Sequence, residues 1–276
     1  MIKPFIFSSL VLATLAGCNE TPGTPGTPAS PETPAIASNY APVISYSIVA
    51  RHPHDTAYFT EGLEFHENQL FESSGGNMDS SPYPSAFGIV DRKTGKVTTK
   101  VSIDKSKYFG EGITFFNGKL YQLTWTSKTG FVYDAKTFKQ LKTFEIPSQQ
   151  GWGLTHDSTH LIMSDGSNTL LFLNPETLQV AYTVSVTDNS EPIGNINELE
   201  YVDGYIYANR WQTPFILKIE AKTGKVVGKL DLTALINEIY PNGEDEFELN
   251  GIARDPQTGN FLVTGKKWPT AFEIKF

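Results

Sequence analysis

Apolar and polar residues alternate in short runs along most of this chain, and the runs repeat in a common frame. Phe59 to Gly75 reads FTEGLEFHENQLFESSG and Phe109 to Trp125 reads FGEGITFFNGKLYQLTW. Both run Phe-x-Glu-Gly-aliphatic, then a strand-like stretch, a polar tip and a second apolar stretch. Alternation interrupted by Asn-Gly, Asp-Gly or Thr-Gly tips predicts tight β-hairpins. The frame occurs at GLEFHENQLFESSG (62–75), GITFFNGKLYQLTW (112–125), GLTHDSTHLIMSDG (153–166), ELEYVDGYIYANRW (198–211) and GIARDPQTGNFLVTGKKW (251–268), at a period of about 41 to 53 residues. A second hairpin follows each of the first four copies, at 87–101, 131–144, 170–184 and 215–230. Two hairpins make a four-stranded antiparallel sheet, and one such sheet per repeat of this length predicts a β-propeller.

The fifth unit is short of a strand, since only AFEIKF (271–276) follows its first hairpin. VISYSIVAR (43–51) precedes the first copy as KVTTKVSID precedes the second. The expected fold is therefore all-β, a five-bladed β-propeller over residues 43–276, closed by an N-terminal strand that completes the last blade. Closure removes the two free edges of an open array. One stretch departs from this pattern: in Asp231 to Ile239, Leu232, Leu235, Ile236 and Ile239 fall at helical spacing before Pro241, which predicts a short helix between blades.

The 276 residues suffice for one large all-β domain, and plentiful Phe, Tyr, Gly and Pro suit many short strands and turns. A net charge of −8 with no basic run argues against nucleic acid or an anionic membrane surface as partner. The first residues, MIKPFIFSSLVLATLAGC, have a basic Lys3, an apolar run and small residues before Cys18. They read as a secretory signal at 1–17, too short for a mature membrane span. Leu15-Ala16-Gly17-Cys18 resembles a bacterial lipobox, which implies lipid on Cys18. Cys18 is the single cysteine, so no internal disulfide is available. Residues 18–42, rich in Pro, Thr, Ala and Gly, read as an extended tether. The expected location is the bacterial cell envelope, lipid-anchored in the outer membrane and facing the periplasm, with membrane contact through the anchor only.

In a propeller the innermost strand of each blade lines a central channel, and the residue just before it sits at one mouth. Two positions before the aliphatic residue of each copy stand Glu61, Glu111, Trp152, Asn197 and Asn250. The ends of the second strands, Trp125, Asp165, Trp211 and Lys266, are expected on the same rim, with Trp268 two residues beyond the last. A carboxylate among aromatic rings is poorly solvated, so its pKa rises toward neutrality and it becomes a usable acid and base.

FGEGIT, LTW, GWGLT, NELEYV, YANRWQT, LNGIA and TGKKWP, in order from about Tyr46 to Phe276, together resemble the plant- and bacterial-type glutaminyl cyclotransferase family. The resemblance implies a five-bladed propeller that converts N-terminal glutamine of peptides and proteins to pyroglutamate, releases ammonia and needs no metal or other cofactor. It places the acid/base glutamate at Glu111 and an aromatic pocket at Phe59, Phe109, Trp125, Trp152 and Trp211. Asn197 and Lys266 are matched as binding residues, either of them a stabiliser of the developing oxyanion. Plant members carry Gln where this chain has Glu61, a binding position whose added charge Lys266 is placed to neutralise. Two other readings stay open from the residues alone. One is a non-catalytic propeller that binds a peptide or glycan. The other is a metal-dependent lactonase-like propeller using Glu61, Asn197, Asn250 and Asp165. His52 and His54 read as loop residues before the first blade, Glu244-Asp245-Glu246 as a solvated acidic loop, and His156 as a core or turn residue.

Overall fold

The repeated frame folds as five four-stranded antiparallel sheets, seen in a computed structural model that describes residues 40–76, 81–243 and 248–276. Strand β1 (Ser47–Pro53) comes first in the chain. Blade 1 is β2 (Thr60–His66), β3 (Gln69–Ser74), β4 (Ala86–Val90) and β5 (Val97–Ser102). Blade 2 is β6 (Gly110–Phe116), β7 (Lys119–Thr124), β8 (Thr129–Asp134) and β9 (Gln140–Glu145). Blade 3 is β10 (Leu154–His156), β11 (Leu161–Met163), β12 (Thr169–Leu173) and β13 (Val180–Ser185). A small ribbon follows, β14 (Thr187–Asp188) with β15 (Glu191–Pro192), which the repeat pattern did not announce. Blade 4 is β16 (Ile196–Val202), β17 (Tyr205–Arg210), β18 (Phe215–Glu220) and β19 (Val226–Asp231). The expected helix is α1 (Thr233–Ile239), and it leads into blade 5: β20 (Leu249–Arg254), β21 (Phe261–Gly265) and β22 (Thr270–Lys275).

The fourth strand of blade 5 is β1, antiparallel to β22 from Ser47–Lys275 to Pro53–Thr270. The N-terminal strand thus closes the ring, as the missing strand of the fifth repeat implied. Ala41 and Pro42, at the end of the expected tether, are already bonded, Ala41 to the β14–β15 ribbon and Pro42 to the outermost strand of blade 4. The Ala41 amide donates to Asp188 Oδ1 (2.8 Å), and the Lys229 amide to the Pro42 carbonyl (2.9 Å). Cys18, the signal and most of the tether lie outside the described residues, as does the Glu244-Asp245-Glu246 loop. No helix among the described residues is long and apolar enough to cross a membrane.

Alternating apolar residues on each blade pack against the next blade, so the core is five clusters. Blades 5 and 1, for example, share Leu63, Leu70, Val90, Ala253, Leu262 and Ala271. Buried beside that seam are His54 and Glu72, 3.0 Å apart, with His54 Nδ1 donating to the Trp268 carbonyl. His52 lies within β1 itself and pairs with Glu273 at 2.9 Å. His52 is therefore part of the closing strand, which runs further than the apolar run VISYSIVAR suggested, whereas His54 lies just past its end, in the loop before the first blade. His156 lies in β10 and tilts over Phe116, a core contact.

The five innermost strands, β2, β6, β10, β16 and β20, meet one another around the hub. Their approach is close: a Cβ on Gly153 would stand 2.1 Å from the Asn197 carbonyl, which only glycine tolerates. Side chains stitch the strands together. Glu198 accepts the amides of Leu63 (3.2 Å) and Ile252 (2.8 Å), Glu64 that of Phe115, and Glu200 that of Arg254.

Candidate active site

One local irregularity aims the hub residues. The pairing of the innermost strand with its neighbour shifts between Thr60 and Gly62, Gly110 and Ile113, Ile196 and Leu199, and Leu249 and Ile252. Each shift is a β-bulge, which leaves a residue unpaired and turns its side chain. The residues set free in this way are Glu61, Glu111, Asn197 and Asn250. A second recurring feature draws in the far ends of the second strands. The amides of Gly75, Trp125, Trp211 and Lys266 donate to the carbonyls of Phe59, Phe109, Asn195 and Glu248 at 2.8–3.1 Å. Each accepting residue stands two positions before the bulged one.

These devices gather a cavity of about 230 Å³ lined by Phe59, Glu61, Phe109, Glu111, Trp125, Trp152, Asn197, Trp211, Glu248 and Lys266. All nine pocket positions expected from sequence are present, and Glu248 joins them. The volume falls below the ~300–1,000 Å³ of sites for drug-sized ligands, so it admits about one residue of a peptide. Its walls divide by chemistry. Blades 1 to 4 supply aromatic rings: Phe59 meets Phe109 edge-on, Phe109 meets Trp125 at 5.8 Å, and Trp152 meets Trp211 at 5.5 Å and 81°. The indoles therefore form an edge-to-face lining and not a stack. Trp125 is 40% exposed at the mouth, whereas Glu61 and Glu111 are buried on the floor.

The polar floor is a chain of charges. Lys266 Nζ stands 2.7 Å from Glu248 and 3.1 Å from Glu61, and 4.6 Å over the Phe59 ring. Asn250 Nδ2 donates to the other Glu61 oxygen (3.1 Å) and to the Thr60 carbonyl (3.0 Å). Glu111 and Glu61 sit together on this floor, close enough for each to shift the ionisation of the other. Burial raises both pKa values, and for Glu111 the neighbouring Glu61 charge raises it further, well above the ordinary carboxyl range. Lys266 pulls in the opposite direction on both, and its own pKa is raised by the carboxylates around it despite burial. The Asn197 side chain is also buried, and its Oδ1 has no hydrogen-bond partner among the described residues.

Three residues named on the rim fall elsewhere. Asn250 lies behind Glu61 and does not line the cavity. Asp165 turns its carboxylate onto Ser148 (2.7 Å) and the Ser167 amide (3.0 Å), capping its own turn. Trp268 is fully buried: the turn through Lys267 (φ +64°) brings its ring back over Gly265, against Phe272. The set Glu61, Asn197, Asn250 and Asp165 is therefore not assembled around one point, and Glu61 is committed to an ammonium and an amide. Among the described residues no group of His, Cys, Asp or Glu is disposed to hold a metal ion. Glu248 was missed by sequence, although it stands two positions before a hub residue, where Phe59 and Phe109 also stand.

A family model described as glutamine cyclotransferase matches residues 21–276. A glutaminyl-peptide cyclotransferase from Arabidopsis thaliana is 38% identical over 230 residues, covering 83% of this chain and 70% of the relative. The crystal structure of a glutaminyl cyclase from Myxococcus xanthus superposes with a TM-score of 0.74 at 33% identity, covering 83% of this chain and 95% of that one.

Proposed function

The chain belongs to the glutamine cyclotransferase family, and we propose that its rim cavity is where an N-terminal glutamine is cyclised, with Glu111 moving the proton. The activity is the conversion of N-terminal glutamine of peptides or proteins to pyroglutamate with release of ammonia. The α-amine attacks the side-chain amide carbon of the same residue, forming the ring C–N bond, and the amide C–N bond breaks. One proton leaves the attacking nitrogen and one joins the departing nitrogen, which leaves as ammonia.

The nucleophile is already tethered, so much of the task is to hold the folded rotamer in place. A cavity for one residue walled by Phe59, Phe109, Trp125, Trp152 and Trp211 does this and keeps water out. A free α-amine has a reference pKa of about 7.7–8.0, so a large fraction is neutral and nucleophilic near neutrality. Glu111 holds its proton toward neutral pH, gives it to the leaving nitrogen and recovers one from the ring nitrogen. Proton transfer of this kind is worth about 10² to 10⁴ in rate. Glu61, fixed by Lys266 and Asn250, sets how tightly Glu111 holds that proton. Lys266 is occupied by two carboxylates, which favours Asn197 over Lys266 as donor to the oxyanion.

The observation that carries this reading is a buried carboxyl, with a second buried carboxyl beside it, on the floor of a one-residue aromatic cavity. A Gln-initiated dipeptide is expected to yield ammonia and the pyroglutamyl peptide, with or without a strong chelator. An Asn-initiated dipeptide, which would have to close a strained four-membered ring, stays intact. Binding of the Gln peptide without ammonia release would overturn the assignment in favour of a non-catalytic binding propeller, and loss of activity with chelator would overturn the metal-free mechanism. We also propose that lipid on Cys18 and the 18–42 segment hold the domain at the outer membrane, facing the periplasm. Labelling with a fatty acid that is lost in Cys18→Ser supports this, and unlabelled wild type contradicts it.

A further inference from the structure

Gln150 does not line the cavity, yet two of the cavity walls meet on it. It lies on the crossing from β9 to β10, between blades 2 and 3. Its Oε1 accepts the indole N–H of Trp125 at 2.7 Å and that of Trp152 at 2.8 Å. The orientation of the carboxamide is fixed by this geometry, since only the oxygen can accept from two N–H donors.

The backbones around this junction are already pinned. The Gly151 amide donates to the Trp125 carbonyl (2.9 Å), the Trp125 amide to Phe109, and the Trp152 amide to Ser164. A Cβ on Gly151 would stand 2.9 Å from the Thr124 carbonyl and 3.0 Å from Ile146 Cδ1, so the loop lies tightly against the strand that carries Trp125. With the main chain held, the freedom left to the two indoles is rotation about their own side-chain bonds. Trp125 is exposed at the mouth and has most to lose. Blade 3 also lacks, among the described residues, the carbonyl-to-amide bond that ties hub and rim in the other four blades. The Gln150 side chain stands where that tie is missing.

Resting on the cyclotransferase reading, we infer that Gln150 is a positioning residue: one carboxamide oxygen locks Trp125 and Trp152 into the wall that holds the folded glutamine side chain. Two consequences follow. The aromatic lining becomes one linked arc from Phe59 to Trp211 across four blades. Both indole N–H groups are also saturated, so Trp125 and Trp152 offer the substrate rings and not competing donors for its amide.

Gln150→Leu removes the acceptor at similar bulk, and Gln150→Glu keeps an acceptor at the same reach. Each is compared with wild type on a Gln-initiated dipeptide, alongside Trp125→Phe and the Gln150→Leu/Trp125→Phe double variant. Gln150→Leu is expected to lower kcat/KM by ~10- to 100-fold, the range of a misplaced reacting group. Gln150→Glu is expected to stay within a few-fold of wild type. The double variant should cost less than the product of the two single losses. In the absence of substrate, Gln150→Leu should also shift the tryptophan emission of the enzyme and Gln150→Glu should not. Wild-type kinetics and emission in Gln150→Leu, equal losses in the Leu and Glu variants, or multiplicative costs in the double variant would each overturn the inference. If wild type itself releases no ammonia, the emission comparison still decides the role of Gln150, and the failure belongs to the assigned reaction.

Discussion

Glu111 is held by opposing influences that can be separated one side chain at a time. Burial raises its pKa most, the Glu61 charge raises it further, and Lys266 lowers it. Glu61→Gln removes one raising influence and leaves burial in place. The Glu111 pKa should therefore fall while staying above the ordinary carboxyl value, and the alkaline limb of the kcat/KM profile should move to lower pH. An unmoved limb would mean that the Glu61 charge does not act on Glu111. A repeat of Phe-x-Glu-Gly made Glu61 and Glu111 legible in the sequence, because both the carboxylate and the glycine it needs are written in the frame. Glu248 was not legible, because nothing in its residue type marks it until the carbonyl-to-amide bond shows that its position faces the cavity, and Gln150 shows only through the two indole N–H groups it accepts. Trp268 looked like a pocket tryptophan, and one left-handed turn residue, Lys267, sent it into the core.

At the scale of elements, strands are placed by alternation and then corrected by bulges. Alternation alone located the hairpins, and the short β14–β15 ribbon escaped because two-residue strands carry no period. The closing strand β1 was legible only from the count of strands in the fifth repeat. Its buried pair, His54 with Glu72, makes that closure sensitive to pH. Burial pushes the His54 pKa down, but the Glu72 charge and the hydrogen bonds to Glu72 and the Trp268 carbonyl push harder, and the net direction is up. A raised histidine pKa gives stability that is complete below about 6.5, the unfolded value, and is lost as pH rises through the folded value. His54→Gln should thus cost about 3–5 kcal/mol at mildly acidic pH, the penalty for breaking a buried pair. The difference from wild type should shrink as pH rises, which denaturant midpoints across the range would show. A pH-independent difference would contradict an ionic latch.

For the whole molecule, the ring brings distant segments together at two levels, the charged floor of the cavity and a carboxyl-lined hub. Burial raises the pKa of Glu64 and Glu198 well above the usual range and that of Glu200 to about 8. Their raised pKa values mean that the folded state binds protons more tightly than the unfolded chain, so stability from these groups is lost as pH rises through the folded values. Thermal unfolding midpoints should fall from about pH 6 to about pH 9, and Glu200→Gln, which keeps an acceptor for the Arg254 amide, should flatten that fall. An identical slope in the variant would place the titration elsewhere. Closure of five sheets buries the Glu111 carboxyl among indoles contributed by three blades, and the proposed chemistry depends on that placement. It is tested most directly by measuring ammonia release from a Gln-initiated dipeptide by Glu111→Gln, with peptide binding measured in the same preparation. Binding is expected to stay close to that of wild type and turnover to fall by about 10² or more, the span of a lost proton-transfer group. Turnover at the wild-type rate would contradict it.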